Sequence, residues 1–251
     1  MKNLIRQTIF VMRKKKSTYV IPAILFFFGL LSAYIEASSD SIKTTELHCY
    51  FTFIFGDCIG FAMLLCAISS VLFLRTDLND GFIKNIAGST GTKMQYYLPK
   101  LFVLAGYDLL LLCSLAVSAL LGSVMFLNGL DAFDLPAFLA YFGTVWFLMT
   151  AFSVLISFLV FGIRNGSAPM ALAVVLGSGM FYNLFYGILS TLFAKAEIEF
   201  DFSNISLTMK MVMLDPSAGN SAMLSACILA FCYILVFGYL ARLTLVKKDI
   251  A

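Results

Sequence analysis

Hydrophobic and polar positions alternate along this chain as long apolar runs broken by short polar stretches. Six runs are long enough to cross a membrane: about Thr18 to Ile35, Tyr50 to Leu74, Leu101 to Leu127, Ala137 to Ile163, Ala168 to Ala194 and Asn220 to Val246. A hydrocarbon layer of about 30 Å takes about 20 apolar residues, because each helical residue rises about 1.5 Å. Each run is expected to be helical, since a lone strand in lipid leaves its backbone donors and acceptors unpaired. The expected fold is all-α, a single transmembrane domain over residues 1–251 with six spans.

Residues 1–16 precede the first run and behave differently. Leu4, Ile5, Ile9 and Met12 share one helical face, while Lys2, Arg6 and Arg13 fall mostly elsewhere, the pattern of a helix lying flat at an anionic membrane surface. A basic anchor that only sets topology is the plainer alternative. A cleaved leader is not expected: Met12 to Lys16 interrupt any apolar core, and no small-residue cleavage site precedes the first span. Of the 17 basic residues, only Lys43, Lys195 and Lys210 fall in the three loops opposite the N-terminal segment, among acids such as Glu36, Glu46, Asp131, Glu197 and Asp201. The positive-inside rule then puts both termini in the cytoplasm.

Composition turns the pattern into a class. Hydrophobic residues make up 61% of the chain and charged residues 12%, against about 45–50% and about 25% in soluble domains. Too little polar surface is left to coat a water-soluble core of this size. Cys49, Cys58, Cys66, Cys113, Cys227 and Cys232 fall in or at the rim of apolar runs with no CxxC spacing, and read as small hydrophobes. His48 is the only histidine, which argues against a histidine-based metal site or a Ser-His-Asp triad. No catalytic residue, no resident metal and no nucleic-acid partner is expected.

The polar island between the second and third runs, residues 75–100, contains "DGFIKNIAGSTGTKMQYYLPK". Its "GSTGTKM" is not a phosphate-binding loop: GxxxxGK[ST] needs four residues between its glycines and a hydroxyl after lysine, whereas Gly88 and Gly91 are separated by two and Met94 follows Lys93. Asn79 or Asp80 could cap a short helix with Phe82, Ile83 and Ile86 on one side, and Pro99 suits the first turn of the next span. Such a helix either offers a docking surface or rests among lipid headgroups.

The island resembles the loop after the second span in type-2 ABC exporter permeases, whose form is an acidic or Asn residue, Gly, a bulky residue, Ile-Lys-Asn, an apolar pair, then a basic residue and a Lys opening the third span. The ending "ARLTLVKKDIA" is similar to that family's closing apolar run, basic residues, Asp and Ile. The basic leading helix, six spans and inward termini agree with it along the whole chain. The resemblance implies that the island is a coupling helix seated in a groove of a separate ATP-binding subunit, which holds the ATP and Mg. The contact would fall on Gly81, Phe82, Ile83, Lys84, Asn85 and Ile86, with Lys93 where the family commonly carries a basic residue. It also implies a second permease chain, identical or paralogous, re-entrant helices between the fifth and sixth spans, and the plasma membrane of a bacterium. Within the family, a short chain without large outer domains resembles permeases that expel antimicrobial or amphipathic peptides.

Inside the spans, Asp57 in "FGDCIG" and Asp108 in "GYDLLLL" stand out, because an aspartate at a helix centre costs about 2.5–3.5 kcal/mol on insertion scales. Each should face protein or water, either lining a translocation path or tying helices together. Tyr107, beside Asp108, and Tyr182 and Asn183 in "GSGMFYNLFYG" join them as path candidates, the last two in a fifth span that its glycines should loosen. Small residues four apart, Gly56 with Gly60 and Ser114, Ser118 and Gly122, are expected to let helices approach closely. The rival function is a proton- or ion-coupled carrier using Asp57 and Asp108 without any ATPase.

Overall fold

The computed structural model describes residues 2–38, 50–79, 94–126, 134–163, 167–180, 182, 186, 188, 205–214 and 219–247. All regular structure among them is helical: α1 (Lys2–Lys14), α2 (Ser17–Ser38), α3 (Tyr50–Asp57), α4 (Ile59–Asn79), α5 (Met94–Phe126), α6 (Leu135–Gly162), α7 (Ala168–Gly177), α8 (Leu207–Met213) and α9 (Asn220–Lys247). Four of these, α2, α5, α6 and α9, are long and apolar enough to cross a membrane; α3 and α4, bent by 46° at their junction, make a fifth if they form one span. The chain is a multi-pass helical membrane protein.

The span count is therefore four or five among the described residues, where the hydropathy pattern predicts six. The difference lies in the run from Ala168 to Ala194 and, unless α3 and α4 form one span, in the run from Tyr50 to Leu74. The first helix of the Ala168 run, α7, has ten residues, about 15 Å; beyond it Met180, Tyr182, Tyr186 and Ile188 are also helical, and the other residues of the run after Met180 lie outside the described ones. α7 ends at a turn over Ser178 and Gly179, and Gly179 has φ +72°, a conformation in which a side chain would strain the backbone. The glycine-rich segment expected to loosen this span thus begins with a real interruption. At the other boundary α5 is already helical at Met94, so Pro99 lies inside the helix rather than in its first turn.

Local chemistry explains several helix ends. Asp134 caps α6, its carboxylate accepting from the Ala137 amide at 3.3 Å, with a proline in the first turn. Ser206 caps α8 through the Met209 amide at 3.5 Å. Thr208 then donates its hydroxyl to the Leu176 carbonyl at 3.2 Å, occupying an acceptor in the last turn of α7. The short helix expected before the last span is thereby tucked against the bundle, with Leu207 and Met211 buried.

α6 is the centre of the packing. It is 61% buried over its most apolar window, against 28% for α2 and 17% for α9, and it contacts α9 most extensively, then α4 and α5. Rings from α3 close over its start: Phe138 lies 4.7 Å from Phe51 and 5.4 Å, edge-on, from Phe55. The outer sides of α2 and α9 leave Phe27, Leu31, Leu224, Phe231 and Leu235 exposed, as lipid or partner contact requires of helices that are apolar all round.

The seam between α2 and α5 is built on small residues. A Cβ on Gly29 would overlap the Ser118 hydroxyl, and one on Gly122 would overlap the Ala33 methyl. Ser114 donates to the Pro22 carbonyl across the same seam at 2.8 Å. Gly177 also brings α7 close to α4, with a built Cβ 3.0 Å from Leu64 Cα. Gly56 and Gly60 do not act this way. A Cβ on either would meet only ordinary contacts at 3.7 Å, from Tyr141 and Val212, because they flank the α3–α4 bend rather than a helix crossing.

Gly122→Ala is expected to destabilise the detergent-solubilised protein by about 1–3 kcal/mol, the usual cost of overpacking, lowering its melting temperature. Adding Ala33→Gly should restore most of the loss. Gly106→Ala, which meets nothing within 4 Å, should be neutral; equal melting temperatures for all three variants would show that the seam is not tight.

Candidate functional site

Cys66 and Ser70 are four residues apart on α4, so both face the same way. Ser153 on α6 and Asp108 on α5 meet them in the middle of the bundle. Asp108 is fully buried. Its Oδ2 accepts from the Ser153 hydroxyl at 2.8 Å and its Oδ1 from the Cys66 thiol at 3.2 Å. The Ser70 hydroxyl lies 3.2 Å from Ser153 Oγ. A hydroxyl has one proton to give. With Ser153 donating to Asp108, the consistent arrangement is a relay from Ser70 to Ser153 to Asp108, with Cys66 donating to the other carboxyl oxygen. Three helices are thus tied by one carboxyl group.

Tyr107, next along α5, is 4% exposed, and its hydroxyl makes no hydrogen bond among the described residues. It lines a small void of about 10 Å³ together with Thr18, Ser69 and Phe73. Phe73 leads to a second cluster. Lys15, in the turn between α1 and α2, places its ammonium 5.1 Å from the Phe73 ring centre and donates to the Phe73 carbonyl at 3.4 Å. Lys100, 1% exposed, places its own ammonium 5.3 Å from the same ring. Cations over an aromatic face are attracted by its quadrupole. The end of α1, the last part of α4 and the first part of α5 therefore converge on one phenylalanine.

The other path candidates lie apart from these clusters. Asp57, at the α3–α4 bend, is exposed and accepts from Ser32 of α2 at 3.3 Å, so the two acids serve different helices. Tyr182 is buried and stacks on the half-exposed ring of Tyr186 at 5.4 Å. Asn183 lies outside the described residues, as do the coupling candidates Gly81, Phe82, Ile83, Lys84, Asn85, Ile86 and Lys93.

Sequence reasoning missed the partners of Asp108. Cys66, read as a small hydrophobe, is a hydrogen-bond donor here. The available signal was the i, i+4 pair Cys66 and Ser70 and the pair Ser153 and Ser157, each placing polar atoms on one face of an apolar helix. Ser157 makes the analogous tie one turn along α6, 3.0 Å from the Tyr97 hydroxyl.

Fold and clusters together define a class, a multi-pass helical membrane protein whose core is tied by polar side chains. No protein-family model matches the chain, and no curated protein matches it in sequence.

Ser153→Ala removes the shortest bond to Asp108 and is expected to cost about 1 kcal/mol, near the value measured for hydrogen bonds between membrane helices. Asp108→Asn, which keeps an acceptor oxygen, should cost less than Asp108→Leu, which leaves two donors without one. Unfolding midpoints in mixed detergent micelles check both orders. Identical midpoints would show that the cluster contributes nothing.

Proposed function

We propose that this chain is the membrane-spanning permease of an ATP-driven exporter, paired with a second permease and driven by a separate ATP-binding subunit. The observation that carries the reading is where the island joins the bundle. Residues 80–93 connect α4 to α5, and about two turns inside each helix Phe73 and Lys100 meet, with Lys15 on the same ring. A displacement of the island would reach α4, α5 and the α1–α2 turn together. The Asp108 cluster would pass it to α6, against which α9 packs.

The island's sequence supplies the remaining support. Gly81 to Ile86 follow the order of a coupling helix, with Phe82, Ile83 and Ile86 as its apolar contacts and Lys84 as its charge; Lys93 is the basic residue before α5. In this reading the ATP and Mg belong to the partner, and the chain does no catalysis. It sits in a bacterial plasma membrane with both termini in the cytoplasm, as the charge asymmetry of its loops favours. The resemblance favours an amphipathic or antimicrobial peptide as cargo. Asp57, Asp108, Tyr107, Tyr182 and Asn183 are the proposed path residues. Of these Asp57 is the accessible acid, while Asp108, with both oxygens engaged inside the bundle, acts first as a tie.

A proton- or ion-coupled carrier is the second reading, favoured by the exposed Asp57 at a helix bend, the kind of discontinuity at which carriers bind their ions. It predicts transport without any ATPase.

Purification in mild detergent from the native cell decides between them. An ATPase is expected to accompany the chain, and Phe82→Ala with Lys84→Ala should remove it while leaving the chain's membrane abundance unchanged. Retention of the ATPase after residues 81–86 are scrambled, or full transport by the chain reconstituted alone, would overturn the exporter reading.

A further inference from the structure

The leading helix α1 has two faces, and one of them packs on the bundle of described helices. Met12 is buried in the core and Ile5 packs against it, with α1 resting on α5 and, less extensively, α2. The apolar face expected to lie in the membrane plane is therefore partly spent on protein. The opposite stripe follows helical spacings of three and four along α1: Asn3, Arg6, Gln7, Phe10, Arg13 and Lys14. It faces the first turn of α2, where Tyr19 is 59% exposed, and the two helices enclose an open cavity of about 780 Å³ lined by this stripe, Ile9 and Tyr19.

The chemistry of this cavity is that of an amphiphile's site. Among the described residues three cations line it and no acid does; α1 itself contains no Asp or Glu. The Lys14 ammonium is held 4.6 Å over the Phe10 ring, which orients a charge at the edge of an apolar wall. That wall is large: Ile9 is 44% and Phe10 58% exposed. Inorganic phosphate or another small anion would satisfy the cations and leave Ile9, Phe10 and Tyr19 bare. A zwitterionic lipid would cover the wall and bring an ammonium among three like charges. The hollow is open on one side, as a lipid that keeps its tails in the bilayer requires, and arginine suits phosphate through its paired N–H groups.

We propose that the angle between α1 and α2 holds the headgroup of one anionic phospholipid, with Arg6, Arg13 and Lys14 on its phosphate and Ile9, Phe10 and Tyr19 against its glycerol and first methylenes. The site is discrete, built from two helices, and differs from diffuse attraction of a basic segment to a charged surface. Asn3 and Gln7 add neutral donors for headgroup hydroxyls. A lipid bound there braces α1 against the span it precedes.

The test uses the full chain purified in a neutral detergent. Dioleoyl-phosphatidylglycerol is titrated against melting temperature and bound mass, in parallel with dioleoyl-phosphatidylcholine and inorganic phosphate. Phosphatidylglycerol is expected to stabilise the protein and add one retained lipid, while the other two do neither. Arg6→Gln with Arg13→Gln should weaken its apparent affinity at least about tenfold, or 1.4 kcal/mol. Arg242→Gln with Lys247→Gln, the same loss of charge on α9, should leave the affinity unchanged. Arg6→Lys with Arg13→Lys, which keeps the charge and loses the paired N–H geometry, should bind more tightly than the Gln pair and less tightly than the unaltered chain. A lipid-free melting temperature of the Gln pair equal to that of the unaltered chain shows that its loss is not misfolding. Equal loss in the α9 pair would reduce the site to diffuse attraction and overturn it. Equal stabilisation by phosphatidylcholine, or by inorganic phosphate, would overturn it as well.

Discussion

Helices in hydrocarbon gain little by hiding apolar side chains from one another, because lipid tails are as apolar as leucine. Association has to come from contacts that lipid cannot match. Here these are close approach of backbones and hydrogen bonds made away from water. The first operates at Gly29 with Ser118, Gly122 with Ala33 and Gly177 with α4, where a missing side chain lets dispersion act along a whole helix crossing. The second operates at Asp108, whose carboxyl group gives α4 and α6 a polar partner on α5. These positions tie α2, α4, α5, α6 and α7 to one another, while α9 joins the bundle through its long contact with α6.

The two devices have different mechanical characters. A seam packed through glycine resists sliding of one backbone past the other, because Gly29 and Gly122 leave no room at the crossing of α2 and α5. A carboxyl group held by single hydroxyl and thiol protons can exchange partners, because each bond is worth about 1 kcal/mol and alternatives lie within reach on the same helix faces. α4 is thereby coupled to α5 and α6 without being fixed to them. The Phe73 cluster lies about two turns inside the two helices that flank the polar island.

α1 shows how one amphipathic pattern can serve two surfaces. Its period of three and four residues was visible in the chain, and so were its cations. Which face met protein and which stayed open depended on how α1 lies across α5, and no local pattern encodes that angle. The same holds for Cys66. As one apolar-compatible residue among many it carries no signal, and it becomes a donor only because α5 brings Asp108 beside it. Asp57 and Asp108 looked alike as acids in apolar runs, yet one ended exposed at a bend and the other fully enclosed.

The chain by itself determined the class, the helical state of the described parts of its apolar runs and four or five of the six expected spans, because hydrocarbon demands internal backbone pairing and a set apolar length, and both leave a one-dimensional record. It also marked the interruption after Gly177 and the small-residue row on α5. Only the tertiary structure decided that α7 is short, that α3 and α4 bend at Cys58, that α6 is the buried centre, and which partners hold Asp108, Lys15 and Lys100. Those outcomes depend on distances between residues far apart in sequence, fixed by packing geometry rather than by the composition of any one segment.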